Sequence, residues 1–267
     1  MGGIEEMWRY DGRRVAVTGC ASGIGACVAE QVRGLGGEVV GLDIATPTVE
    51  LDEFHRVDMS EVAAIDRAVE AVGTVDALFN VAGVSSGIGD PVRVVTINFL
   101  GLRRFTEALV PGMSPGSAIV SVSSLAAAGY LDHRDQALGL LDAVDMADGI
   151  AWCGGNPDAV ADGGYRLSKE AIIYYTMRQA VPLGARGIRI NCTGPGVTET
   201  PILDQLRSAY GPQYLDTIPK PLGRVSDPAE QAAVLVFLNS GAASYVTGQV
   251  LWVDGGNVAA RIVEGEA

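Results

Sequence analysis

"RRVAVTGCASGIGACVAEQVRGLGG", residues 13 to 37, joins an apolar run to a glycine-studded turn and then to a helical repeat of apolar positions. The run has no polar alternation, so it predicts a strand buried on both faces, which is how strands of a parallel sheet read. The closing glycines suit a helix C-terminus. Between the two lie Gly19, Ser22, Gly23, Ile24 and Gly25. Side-chain-free backbone at a strand-to-helix junction lets a pyrophosphate approach closely, and the helix N-terminus presents unpaired N–H groups and the positive end of its dipole. Glycines also punctuate ordinary turns. Here the strand before, the helix after and an acid ending the next strand agree with one another.

Working outward, the same alternation recurs. Strand "EVVGLD" and a short "FHRVDM" precede helix "SEVAAIDRAVEAVG". Strand "VDALFNVAG", a helix over residues 91–110 and strand "SAIVSVSS" come next. Then follow helix "YRLSKEAIIYYTMRQAV", strand "IRINCTGPG", helix "DPAEQAAVLVFLNS" and strand "QVLWVDGG". Strands separated by helix-length segments require right-handed crossovers, so the prediction is an α/β fold with one Rossmann-type, doubly wound parallel sheet and helices on both faces. No repeat or linker divides it, and residues 1–267 read as one domain. Residues 129–163 are the exception. They hold seven aspartates against one arginine, and Leu138, Leu141 and Val144 suggest a single amphipathic helix there. Such a segment is a solvated decoration, or else a cover over the site or a modified subunit contact.

Composition narrows the function. With 48% hydrophobic and 19% charged residues the chain is a folded globular protein, and its net charge of -13 leaves no basic face for nucleic acid. Cys20, Cys27, Cys153 and Cys192 form no CxxC and no His/Cys cluster, so no metal site is expected. The N-terminal "MGGIEEMWRY" lacks an apolar signal core, and no apolar run reaches the roughly 18 residues that span a bilayer. The expected location is cytoplasmic, with a small molecule as partner and no membrane.

Asp43, closing "VVGLD", is placed to accept hydrogen bonds from an adenosine ribose and to repel a 2′-phosphate, which favours NAD over NADP. No arginine adjoins it in the sequence. Asp58 and Met59, after the third strand, are expected at the adenine end of the same crevice. In "GGYRLSKEAI", residues 163 to 172, Tyr165 and Lys169 lie four apart and project from one helix face, where they can act as an acid/base couple. The chain holds 19 basic residues, of which only Lys169 and Lys220 are lysines. A Ser-His-Asp hydrolase is disfavoured, since the two histidines, His55 and His133, stand near no nucleophile motif.

These motifs, with "NVAG" at 80 to 83, "NFLG" carrying Asn98, "VSSL" carrying Ser124, "YRLSK" and "GPGVTETP", occur in an order that resembles the short-chain dehydrogenases/reductases across nearly the whole chain. "FNVAG" departs from the paired asparagines more usual in that family, although Asn80 is retained. The resemblance implies that Tyr165 is the general acid/base and that Lys169 lowers the phenol's ordinary pKa of about 10 and holds the nicotinamide ribose. It implies that Ser124 rather than Ser123 holds the substrate oxygen, and that Asn98 holds a water of a proton relay. Asn80, Ala82 and Gly83 are implied at the cofactor, as are Pro195, Thr198 and Thr200 at the nicotinamide. Residues 201–222, with Leu203, Leu206, Tyr210, Tyr214 and Ile218, would form a lid whose apolar side suits a hydrophobic alcohol or ketone.

Ser124 and Tyr165 are 41 positions apart, an insertion that resembles the branch containing 3α-hydroxysteroid dehydrogenase/carbonyl reductase and coniferyl-alcohol dehydrogenase. The resemblance implies an NAD-dependent exchange of secondary alcohol and ketone on a bulky apolar substrate such as a 3α-hydroxysteroid. Its alternatives are an aryl or allylic alcohol dehydrogenase, a reductase of acyl-carrier-bound ketones, and a non-catalytic NAD-binding regulator. Because the helices flanking the insertion build a tetramer contact in the wider family, a homodimer is expected, with a homotetramer as the alternative.

Overall fold

The computed structural model of the protein describes residues 3–211 and 217–264, without the side chains of 209 and 210. Seven strands form one sheet: β1 (Arg14–Thr18), β2 (Glu38–Asp43), β3 (Glu53–Arg56), β4 (Ala77–Asn80), β5 (Ala118–Val122), β6 (Arg189–Pro195) and β7 (Val250–Val253). Their order is β3-β2-β1-β4-β5-β6-β7 and every pairing is parallel. The chain runs outward from β1 to β3 and then restarts at β4 on the other side of β1. The carboxyl ends of β1 and β4 therefore flank the crevice where open sheets of this kind bind ligands.

Alternate strand residues feed two cores. Ala16, Val40, Leu42, Leu78, Ile119 and Ile190 pack under α3 (Val62–Val72), α5 (Leu102–Leu109) and α8 (Tyr165–Gly184). Val15, Val17, Val39, Phe79 and Val120 pack under α2 (Gly23–Gly34) and α10 (Pro228–Asn239). Both strand faces are covered, which is why the strands read as unbroken apolar runs. Two terminal helices went unread in the sequence, α1 (Ile4–Trp8) and α11 (Asn257–Glu264). The single helix expected over 91–110 is α4 (Pro91–Val95), a π turn (Thr96–Gly101) and α5. Among the described residues no helix is long and apolar enough to cross a membrane.

The insertion corrects the sequence reading. It holds two helices, α6 (Arg134–Leu141) and α7 (Met146–Gly155), and a 3-10 turn over Pro157–Val160. Leu140 and Leu141 are buried, but Val144 is 84% exposed in the link between the helices. The break has a local cause: the Asp145 side chain accepts the Asp148 N–H at 2.9 Å and starts a new helix. Arg103 ends the previous one by donating to the Leu141 and Ala143 carbonyls at 3.1 and 2.8 Å. Nor is the segment a solvated decoration, because Ala137, Leu140, Met146, Cys153 and Ala159 belong to the same core as Phe99 and Tyr175. Its aspartates sit on the outer side of helices whose inner side is core.

Candidate active site

Helix α8 begins at Tyr165 because Gly163 and Gly164 turn the chain with φ of 88° and 75°, a region that side chains resist. A Cβ on Gly164 would also lie 2.3 Å from the Pro91 carbonyl oxygen, so the turn rests directly on α4. One turn into α8, Lys169 is only 4% exposed, and its Nζ donates to the Val122 carbonyl at the end of β5 at 2.9 Å. The ammonium lies 5.6 Å from the centre of the Tyr165 ring. Burial lowers the Lys169 pKa to about 8. The expected pair is therefore assembled, at the carboxyl end of the sheet.

Ser124 follows β5, half-buried, and its Oγ accepts the Ala126 N–H at 3.1 Å as it caps the 3-10 turn Leu125–Ala127. Ser123 points the other way and is buried, its Oγ donating to the Lys169 carbonyl at 2.7 Å. The two serines thus differ in place: Ser124 caps the turn after β5, and Ser123 fastens β5 to the helix of Tyr165. Asn98 sits in the π turn, a rare geometry that recurs at functional sites. Its Oδ1 accepts the Val84 N–H at 2.8 Å, and its Nδ2 donates to the Val84 carbonyl at 2.9 Å and to Ser168 Oγ at 3.3 Å. Ser168 in turn donates to the Tyr165 carbonyl at 2.7 Å. The sequence reading missed Ser168, although its place between Tyr165 and Lys169 on one helix was the available signal.

At the nucleotide end, the glycines of the turn after β1 are fixed by space. A Cβ on Gly19 would lie 2.7 Å from the Ala82 amide nitrogen, and one on Gly25 only 2.0 Å from the Gly19 carbonyl oxygen. Gly23 sits beside Thr200, whose methyl would be 3.2 Å from an added Cβ, so the glycine turn and the segment after β6 share one cleft. Ser22 and Ile24 flank the first turn of α2, Ser22 exposed and Ile24 half-buried. Asp43 ends β2 with Oδ2 accepting the Ala21 N–H at 2.9 Å and Oδ1 the Ala45 N–H at 2.8 Å. Its strand neighbour in register is Arg56, which donates to Thr46 Oγ1 at 3.1 Å. That arginine is 13 positions away in sequence, so only strand pairing reveals it.

Asp58 lies beyond the end of β3 and accepts the Ser60 N–H and hydroxyl at 2.8 and 2.7 Å, with Met59 buried behind it. Asn80 is inside the sheet: its Nδ2 donates to Thr106 and Ser121 at 2.9 and 3.3 Å, so its side chain braces β4 rather than lining the crevice. Ala82 and Gly83 form the crevice floor, their loop fastened by the Ala82 N–H on Thr18 Oγ1 at 3.1 Å. Gly83 lies beside both Asn98 and Lys169. Pro195 ends β6, and Thr198 is pinned to Gly196 and Ser226 at 3.0 and 2.9 Å. Thr200 opens α9 (Pro201–Tyr210).

Of the expected lid, Leu203 is buried and Leu206 and Ile218 are half-buried, while Tyr214 and the Tyr210 side chain lie outside the described residues. Ser85 donates to Gln205 at 3.0 Å and ties α9 to the loop after β4. Beside this tie an open groove of about 520 Å³ is lined by Gly87, Pro201, Asp204, Gln205 and Ser208, a more polar wall than the sequence led one to expect. Among the described residues no group of three or more His, Cys, Asp and Glu converges as a metal site.

Known proteins resemble this chain along most of its length. Residues 13–134 match the short chain dehydrogenase family, and residues 155–257 match a family described as enoyl-(acyl carrier protein) reductase. The chain is 35% identical to a coniferyl-alcohol dehydrogenase of Pseudomonas sp., covering 91% of this chain and 96% of that one. It is 31% identical to the 3-alpha-hydroxysteroid dehydrogenase/carbonyl reductase of Comamonas testosteroni, covering 91% and 95%. The crystal structure of a 3-alpha-hydroxysteroid dehydrogenase from another Pseudomonas sp., complexed with NADH, superposes with a TM-score of 0.80 at 30% identity, covering 95% of this chain and 99% of that one. With a Tyr–Lys couple at the head of one helix, a serine at the end of β5 and a glycine turn after β1, this chain belongs to the short-chain dehydrogenase/reductase family.

Proposed function

We propose that the protein is an NAD-dependent oxidoreductase that interconverts a secondary alcohol and a ketone on a bulky hydrophobic substrate such as a 3α-hydroxysteroid. The observation that carries this reading is the buried ammonium of Lys169, 5.6 Å from the Tyr165 ring and fixed on the Val122 carbonyl. A positive charge held there favours the phenolate, which can take the proton of an alcohol near neutral pH. Ser124 Oγ, just past the end of β5, would hold the substrate oxygen. Asn98 has both ends of its amide on protein partners, so it holds the loop after β4, and a relay water near Lys169 would rest on main-chain groups.

The glycine turn, too tight for a Cβ at Gly19 or Gly25, fits a dinucleotide pyrophosphate on the N-terminus of α2. Thr200 lies beside Gly23, and it would hold the carboxamide end together with Pro195 and Thr198. The nicotinamide, when bound, supplies the hydride acceptor or donor. Asp43 disfavours a 2′-phosphate, while Arg56 is turned to Thr46. Both points support NAD.

An aryl or allylic alcohol is the second reading, favoured by the name of the coniferyl-alcohol dehydrogenase relative. The acyl-carrier reading is weaker, since a net charge of -13 opposes an acidic carrier. A purely regulatory role is weaker too, because Asn98, Ser124, Tyr165 and Lys169 are all present in the sequence. The assembly we propose is a homodimer: within one chain α6 packs on α8 and α7 on the π turn, beside the helix surface that a tetramer would need. The test is absorbance at the nicotinamide band with hydroxysteroids and aryl alcohols, using NAD and NADP in parallel. Turnover should favour NAD, and Tyr165→Phe should lower kcat at least about 100-fold. Full activity in that variant sinks the mechanism, and a preference for NADP sinks the cofactor assignment.

A further inference from the structure

The carboxylate of Glu170, one residue after Lys169, is fully buried, and the mechanism above does not use it. Its Oε1 lies 2.9 Å from His133 Nδ1 in the insertion, and its Oε2 accepts from Arg166 Nη1 at 2.7 Å. Arg166, one residue after Tyr165, donates from Nε to Asp162 Oδ2 at 2.9 Å and from Nη2 to Gln136 Oε1 at 3.1 Å. Asp162 Oδ1 accepts the Gly164 N–H at 3.2 Å. A continuous path therefore runs from Glu170 through Arg166 and Asp162 to the residue before Tyr165. Burial raises the Glu170 pKa, and Arg166, then His133, oppose the rise. A buried carboxylate costs several kcal/mol unless paired, so the partners are a condition of its presence.

Helix geometry gives this path its meaning. Residues one position apart are turned by about 100°, so Tyr165 and Lys169 face the crevice while Arg166 and Glu170 face the insertion. The first turn of α8 begins at a glycine, which has no side chain to cap it. Asp162 and Arg166 supply that restraint from the side. We propose that Glu170 is a positioning residue for Tyr165, acting through Arg166 and Asp162 to fix the first turn of α8 and to lock the insertion onto it. The proposal rests on the reading of Tyr165 as the proton-transfer group.

The experiment uses Glu170→Ala and Glu170→Gln in the full chain, with four readouts: kcat, the acid limb of the kcat/KM profile, NADH binding by fluorescence, and amide exchange along α8. Loosening the turn by a fraction of an ångström should lower kcat about 10- to 100-fold in Glu170→Ala, with NADH affinity changed less than about twofold. The acid limb should move to higher pH, because a phenol that drifts from Lys169 loses part of its stabilisation. Exchange at residues 168–170, whose amides close the first turn, should rise while residues 172–180 stay protected. Glu170→Gln keeps the shape without the charge and should fall between; if Glu170→Ala does not fold, it decides by the same readouts. Wild-type kcat and pH limb overturn the proposal, whether exchange is raised, which makes Glu170 structural only, or unchanged. If the wild-type chain turns over no alcohol or ketone, the proton-transfer reading has failed, and exchange alone then decides whether Glu170 fixes the turn.

Discussion

Lys169 is held where an ammonium is expensive. Its stem and head are buried, and Nζ donates to the Val122 carbonyl. Unfolding returns the group from a pKa of about 8 to its ordinary 10.5, so between those values the unfolded chain binds more protons and stability rises with pH. The cost of charging it in the fold is thus fully present below pH 8 and is relieved on the way to 10.5. Lys169→Met, without cofactor, should be more stable than wild type at pH 7 by about 1–2 kcal/mol, after allowing about 1 kcal/mol for the abandoned Val122 carbonyl. That advantage should shrink towards pH 10.5 in urea titrations, while activity is lost at every pH. A constant difference across that range means that Lys169 does not titrate as its burial requires.

At the scale of the element, the first turn of α8 concentrates the candidate site. Tyr165 and Lys169 share one side of it, Arg166 and Glu170 turn to the insertion, and Ser168 meets Asn98 of the π turn. The turn exists because Gly164 takes φ of 75° against the Pro91 carbonyl. Gly164→Ala should cost about 1–3 kcal/mol in backbone strain and push the turn off α4. Denaturation midpoints and kcat should fall together in this variant, with NADH affinity nearly kept. A variant of unchanged stability shows that the turn yields without resistance. The sequence makes part of this legible, since "GGY" marks a turn and the four-residue spacing marks the couple. It does not show that the helix rests on Pro91 or that residue 168 meets residue 98, because both contacts join segments about 70 positions apart.

For the whole molecule, the insertion decides most. Between α5 and α8 it lays α6 and α7, held by Arg103 on two carbonyls and by Arg178, which pairs with Asp142 at 2.9 Å. Light scattering should give twice the chain mass of 27.7 kDa, and a fourfold mass means that the insertion leaves the tetramer surface free. Shortening the insertion should not expose a ready-made helix face. It removes core residues such as Leu140 and Met146, so loss of soluble protein is the expected result.

The sequence by itself determined the parallel sheet, the glycine turn, an acid at the end of β2 and the four-residue spacing of Tyr165 and Lys169, because each follows from periodicity, spacing or turn chemistry along the chain. Only the tertiary structure decided what the acidic segment is. An apolar-acidic pattern states that a helix has two faces, but not whether a partner covers the apolar one, and the chain itself supplies that partner in α8 and the π turn. The same holds for Arg56 beside Asp43 and for the buried Glu170. A charge acquires its role from what shares its low-dielectric surroundings, and those neighbours are set by packing across the fold.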